Sequence, residues 1–74
     1  MVDPAAQHVI VHMDGGWAVK KHGSTRATRR FDSRKAAISY ARKLSRKHST
    51  DLYIHGRDGM VRSKISYGND RARD

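Results

Sequence analysis

The chain has no cysteine among its 74 residues. Disulfides and thiolate metal sites are thereby excluded, and this usage fits a reducing compartment. Glutamate is missing as well: the seven acidic residues are all aspartates. Each Asp sits at a terminus, in a turn signal or at a helix start, so acids serve local backbone geometry and leave surface charge unbalanced. Apolar runs such as Val9-Ile10-Val11 are far shorter than the roughly 20 residues a membrane helix needs. The start, Met1 to Gln7, has neither a basic nor an apolar signal region. The expectation is a soluble cytoplasmic protein with no membrane partner and no cofactor. So short a chain forms one small domain near the lower limit for folding alone. A homodimer would enlarge the core, and monomer and homodimer both stay open.

What is abundant is positive charge. Sixteen Lys/Arg against seven acids give a net charge of +9. The excess is concentrated: eleven of these cations, and only Asp32 among the acids, lie between Lys20 and Lys47. A like-charged block repels itself, so a polyanionic partner is the economical explanation. Ten of the cations are Arg, whose planar fork matches phosphate bidentately.

Hydrophobic periodicity predicts the elements. Gln7 to Met13 alternates, with Val9, Val11 and Met13 on one face and His8, Ile10 and His12 on the other, which argues a strand. Asp14-Gly15-Gly16 supplies a tight turn. Trp17 to Lys21 alternates again, with Trp17 and Val19 inward and Ala18 and Lys20 outward. After the turn at His22-Gly23-Ser24-Thr25, Arg26 to Phe31 forms a poorer strand anchored by Ala27 and Phe31. Asp32 or Ser33 caps a helix running to His48. Ala37, Ile38, Ala41, Leu44 and Ser45 make its apolar stripe, mostly of small residues, so it lies close to a sheet. Asp51 to His55 and Met60 to Ile65 are the last strands, joined by Gly56-Arg57-Asp58-Gly59, and Tyr67-Gly68-Asn69-Asp70 closes the chain. The predicted fold is α+β: an antiparallel-rich sheet in the order β-β-β-α-β-β with one helix on one face. A flexible arm over 1–6 precedes the domain at 7–68, and a disordered tail over 69–74 follows it.

Several clusters invite chemistry. His8 and His12 are four apart, which on a strand spans about 13 Å, too far for one ion. With no Cys or Glu to add, no metal site is expected. His55, Arg57 and Asp58 could be drawn as a catalytic cluster, yet neighbours in a tight turn rarely converge on one point and no nucleophile is implied. Asp58-Gly59 is turn chemistry, and His55 is read as a strand-end residue bonded to that turn. So small a domain offers little room for a deep pocket, and no catalytic residues are expected. Trp17 is assigned to the core against Ala37 and Ala41. Tyr53, on the exposed face with His55, is the better candidate for stacking on a base.

Four segments occur together: Gly15-Gly16-Trp17-Ala18-Val19-Lys20, Ala36-Ala37-Ile38 with Ala41-Arg42, His55-Gly56-Arg57-Asp58-Gly59, and Ser66-Tyr67-Gly68-Asn69-Asp70. In this order they resemble the short bacterial proteins catalogued as domain of unknown function 2188. The resemblance runs from His8 to Asp70 and implies a small stand-alone bacterial α+β domain without an assigned activity. Family members often carry acids on the helix and a Pro after the final Asp. Here the helix is purely basic and Arg71 takes the Pro position, so the basic block is set apart from the family pattern.

The sequence thus points to a nucleic-acid-binding protein, for DNA or RNA, that contacts phosphates without reading sequence. The candidate contacts are Lys20, Lys21, Arg26, Arg29, Arg30, Arg42, Lys43, Arg46 and Lys47. Trp17, His55, Gly56, Arg57, Asp58, Gly59, Tyr67, Gly68 and Asn69 are structural. The alternative is an interaction module, inhibitor or accessory factor whose charge selects an acidic protein surface.

Overall fold

In the computed structural model, which describes residues 5–12 and 14–67, the alternating segments form strands at the expected places. β1 is Gln7–Val11, β2 Trp17–Lys21, β3 Arg29–Phe31, β4 Asp51–His55 and β5 Val61–Ser66, with α1 at Arg34–His48 between β3 and β4. The fold is α+β in the order β-β-β-α-β-β, and the sheet order is β3-β2-β1-β4-β5. Neighbours are antiparallel except β1 and β4, which run parallel because the chain returns across the sheet through α1.

Register separates two faces. Val9 pairs with Val19 and Ile54, and Trp17 with Phe31, all on the side that α1 covers. Val9, Trp17, Val19, Ala37, Ala41, Leu52 and Ile54 form the core. The helix contributes its smallest side chains: Ala37, Ala41 and Ser45 are the fully buried ones. Ile38 and Leu44, expected inside, are half-buried at the margins, because two alanines bring the helix axis close and leave larger side chains to splay sideways. Ser33, not Asp32, is the N-cap, its Oγ accepting from the Ala36 N–H at 3.1 Å. Ser49, with φ of 53°, ends the helix as its N–H bonds the Arg46 carbonyl.

The structure corrects other expectations. β3 begins at Arg29, not Arg26, and Ala27 is exposed. Ser24 Oγ accepts from the Arg26 N–H at 3.2 Å and donates to its carbonyl at 3.0 Å, which takes Arg26 out of the ladder. β5 starts at Val61 because Met60 still belongs to the turn: its carbonyl accepts from Gly56 and its N–H donates to Asp58 Oδ1. β1 stops at Val11, and Met13 lies outside the described residues, as do Gly68, Asn69 and the expected tail. The expected arm does not reach residue 6: Ala6 is fully buried and its carbonyl accepts from His22 N at 2.8 Å. Ala18 faces away from the helix as expected, yet is buried between the longer side chains of Ile10 and Arg30, its register neighbours.

Gly16 shows how tightly β2 and β3 approach. A Cβ there would lie 2.6 Å from the Phe31 carbonyl oxygen, a backbone atom that cannot step aside. Gly16→Ala is therefore expected to lower the melting temperature by several degrees. Leu52, completely buried, should lose about 2–5 kcal/mol on truncation to Ala, and half-buried Leu44 only about 1–2 kcal/mol. Urea denaturation of the three variants checks this ranking.

Candidate nucleic-acid interface

The basic block does not form one surface. Alternation on β3 sends Arg30 to the open face of the sheet and Arg29 to the helix side, where its guanidinium lies 5.1 Å from the Phe31 ring and 5.5 Å from Tyr40. Lys20 shares the open face with Arg30. Lys21 is exposed at the end of β2, and Arg26 is exposed in the β2–β3 connection. Arg42, Lys43, Arg46 and Lys47 are all exposed on α1, on the opposite side of the molecule from Lys20 and Arg30. Sequence reasoning grouped these residues by proximity in the chain. The two faces of a pleated strand divide them.

On α1 the structure adds two cations that were not among the candidates, Arg34 and Lys35. Two adjacent rows at four-residue spacing, Arg34-Ile38-Arg42-Arg46 and Lys35-Ser39-Lys43, border an open furrow of about 730 Å³. The signal was present in the sequence: Arg34 and Lys35 stand eight residues, a little over two helical turns, before Arg42 and Lys43. The furrow extends roughly 18 Å along the helix at 1.5 Å per residue. Arg34 is steadied by the Trp17 ring at 5.5 Å, and Arg46 by Tyr67 at 5.8 Å. No acid occupies the first turn of α1, so Arg34 and Lys35 oppose the helix dipole there.

The acids lie elsewhere. Asp32 is 3.8 Å from Arg30, Asp58 is 2.8 Å from Arg62, and Asp51 is 4.0 Å from Lys64. Among the described residues, none of the six cations on α1 has a carboxylate within ion-pairing distance. Surface pairs stabilise little, and none of them reaches the helix face.

The motif turn is built as its residues require. Gly59 has φ of 85°, Asp58 Oδ1 accepts from Met60 N and Oδ2 from Arg62, and His55 Nδ1 bonds the Gly59 carbonyl at 3.0 Å. Arg57 leaves the turn and lies 5.6 Å from the Trp17 ring, so two guanidiniums, of Arg34 and Arg57, approach this buried Trp. Tyr67 packs against the core margin.

Tyr53, the candidate for base stacking, already has partners in the fold. The His8 ring stacks on it at 5.0 Å and 12°, and Lys64 Nζ lies 5.6 Å from its centroid. Sequence reasoning missed the cluster responsible. His8 Nδ1 is 2.9 Å from His55 Nε2, and His8 Nε2 is 3.2 Å from His22 Nδ1. Because His8 offers a different nitrogen to each neighbour, the three rings form a chain and do not converge on a point. No group of three metal-ligating side chains converges among the described residues. Burial foremost, then His55, His22 and Lys20, lower the His8 pKa from 6.5 to about 4.

The model of the bacterial family described as uncharacterized protein conserved in bacteria (DUF2188) matches residues 7–67, and the chain belongs to that family. The uncharacterized protein YdaT of Bacillus subtilis (strain 168) is 39% identical over 64 residues, which are 86% of this chain and 42% of that protein. The match thus spans less than half the length of this relative. No solved structure matches it. Among the described residues, no helix is long and apolar enough to cross a membrane.

The lowered His8 pKa makes stability pH-dependent. Above pH 6.5 His8 is neutral in both states. Between 6.5 and about 4 the unfolded chain takes up a proton that the folded chain refuses, so stability falls as pH drops through that window. Below about 4 both states are protonated and this loss stops. The drop in melting temperature across the window should be smaller in His8→Gln than in the parent chain, as thermal denaturation monitored by circular dichroism will show.

Proposed function

We propose that this member of the family is a nucleic-acid-binding protein of the cytoplasm, not an enzyme, and that it grips the phosphate backbone with the solvent face of α1. The observation that carries this reading is the furrow of Arg34, Lys35, Arg42, Lys43 and Arg46, extended by Lys47, without a neutralising carboxylate among the described residues. A face with five cations over roughly 18 Å spans on the order of five base pairs of duplex, at about 3.4 Å of axis per phosphate on each strand. Mixed Arg and Lys suit backbone contact, since Arg forks onto phosphate oxygens and Lys follows as a mobile point charge. Positioning contacts of this kind carry no base information, so binding is indifferent to sequence. Half-buried Ile38, which lines the furrow, gives the sugar edge an apolar surface.

Of the candidate residues read from sequence, Arg42, Lys43, Arg46 and Lys47 belong to this surface, and Arg34 and Lys35 join them. Lys20 and Arg30 face away. Arg29 of β3, over Phe31 and Tyr40, does not line the furrow, and Lys21 and Arg26 sit at the end of β2 and in the β2–β3 connection.

A salt titration with random-sequence duplex DNA, single-stranded DNA and RNA tests the proposal. With about four to six contacts, the log–log slope on duplex should be about −4 to −5. Reversing Arg42, Lys43 and Arg46 to Glu should abolish binding with the fold intact, whereas reversing Arg29 and Arg30 should weaken it only slightly. Absence of binding to all three polymers at low salt would refute the reading and favour an acidic protein surface as the partner.

A further inference from the structure

The open face of the sheet carries a second cationic cluster. A recess of about 210 Å³ lies where β1, the end of β2 and β4 meet, lined by His8, Ile10, Lys20, Lys21, His22 and His55. Sites for drug-sized molecules occupy roughly 300–1,000 Å³, so this space suits a small ion or group. No carboxylate lines it. Asp51, on the same face of β4, is drawn to Lys64 beyond the Tyr53 ring.

Hydrogen-bond logic orders the three imidazoles. The Gly59 carbonyl can only accept, so His55 donates from Nδ1. Neutral His55 then has its lone pair on Nε2, to which His8 donates from Nδ1. Neutral His8 accepts at Nε2 from Nδ1 of His22. The chain ends at Nε2 of His22, which has no partner among the described residues. A proton added to Nε2 of His55 or of His8 would confront an N–H already pointing at it. A proton added to Nε2 of His22 breaks no hydrogen bond. The chain therefore directs added charge to the rim of the recess, beside Lys20 and Lys21. His8 stays neutral down to about pH 4, so the central link holds well below the ordinary imidazole pKa of about 6.5. The groups facing His22 are His8 from β1, Lys20 and Lys21 from β2, and His55 and Tyr53 from β4 behind His8.

We propose that this recess binds the dianion of a phosphate group, either a phosphate monoester or the free ion, through the protonated form of His22 with Lys20 and Lys21, and that its affinity for an anion of fixed charge strengthens as pH falls. The site stands on its own cluster, across the sheet from the helix furrow, and does not depend on that surface.

Sulfate keeps two charges throughout the relevant pH range and so separates titration of the protein from titration of the ligand. Imidazole signals of His8, His22 and His55 are followed by NMR as sulfate replaces chloride at constant ionic strength, at about pH 5.5 and about pH 8. Saturable shifts are expected at the lower pH, with affinity about tenfold weaker at the higher. His22→Asn and Lys20→Gln should each weaken binding about tenfold, and Arg42→Glu with Lys43→Glu should leave it unchanged. A 5′-phosphorylated single strand and its 5′-hydroxyl twin distinguish the sources. Tighter binding of the former at His22 identifies a strand end, and equal binding identifies a free phosphate ester or ion. Non-saturating shifts, affinity that survives both His22→Asn and Lys20→Gln, or affinity lost in the helix variant would overturn the proposal. Because the helix variant probes the furrow alone, failure of either reading is told from failure of the other.

Discussion

Three small side chains, Ala37, Ala41 and Ser45, bring α1 down onto the sheet, and the remaining architecture depends on this close contact. The single helix has to cover Val9, Val19, Leu52, Ile54 and the Trp17 ring, the sheet's share of the buried core cluster among the described residues. Bulkier residues on the stripe would lift the helix and expose the ring edges. Ile38, Leu44 and Tyr40 close the margins, and the guanidinium groups of Arg29, Arg34 and Arg46 lie over Phe31, Tyr40, Trp17 and Tyr67. The perimeter of a small core is thus sealed by cations, which explains how so basic a chain spends part of its charge on packing.

One helix covers one face, so the other face of the sheet meets water. The two faces solve the charge problem differently. Across the sheet and its turns, Asp32, Asp51 and Asp58 approach Arg30, Lys64 and Arg62. On the helix no carboxylate among the described residues pairs with the cations, and Arg34 and Lys35 even occupy the end of the dipole where acids would stabilise. Repulsion tolerated in this way is consistent with a surface whose partner supplies the negative charge.

The open face carries polar rings in place of a second layer. His8, His22, Tyr53 and His55 pack edge and face against one another, so a strand position that would otherwise expose an aromatic ring is filled by its neighbours. Three imidazoles in a hydrogen-bonded row, anchored on the Gly59 carbonyl, link the β4–β5 turn of the family motif to the β2 hairpin.

Period-two alternation in β1, β2 and β4, the small-residue stripe of α1, the helix cap and the glycine turn at Gly59 were legible because each depends on residues a few positions apart. The exposure of Arg42, Lys43, Arg46 and Lys47 followed from the same helical period. What local pattern could not convey was distance across the sheet. The parallel pairing of β1 with β4 sets His8 beside Tyr53 and His55, residues about 45 apart in the chain. The β2 hairpin brings His22 to the same place. The shortening of β3 hung on one serine hydroxyl, and the division of Arg29 from Arg30 on which side the helix came to rest. Sequence by itself determined the elements and the sign and amount of charge, because local sterics and composition do. Only tertiary structure decided which cations share a face and which histidines touch, because register and crossover are settled by packing among residues far apart in the chain.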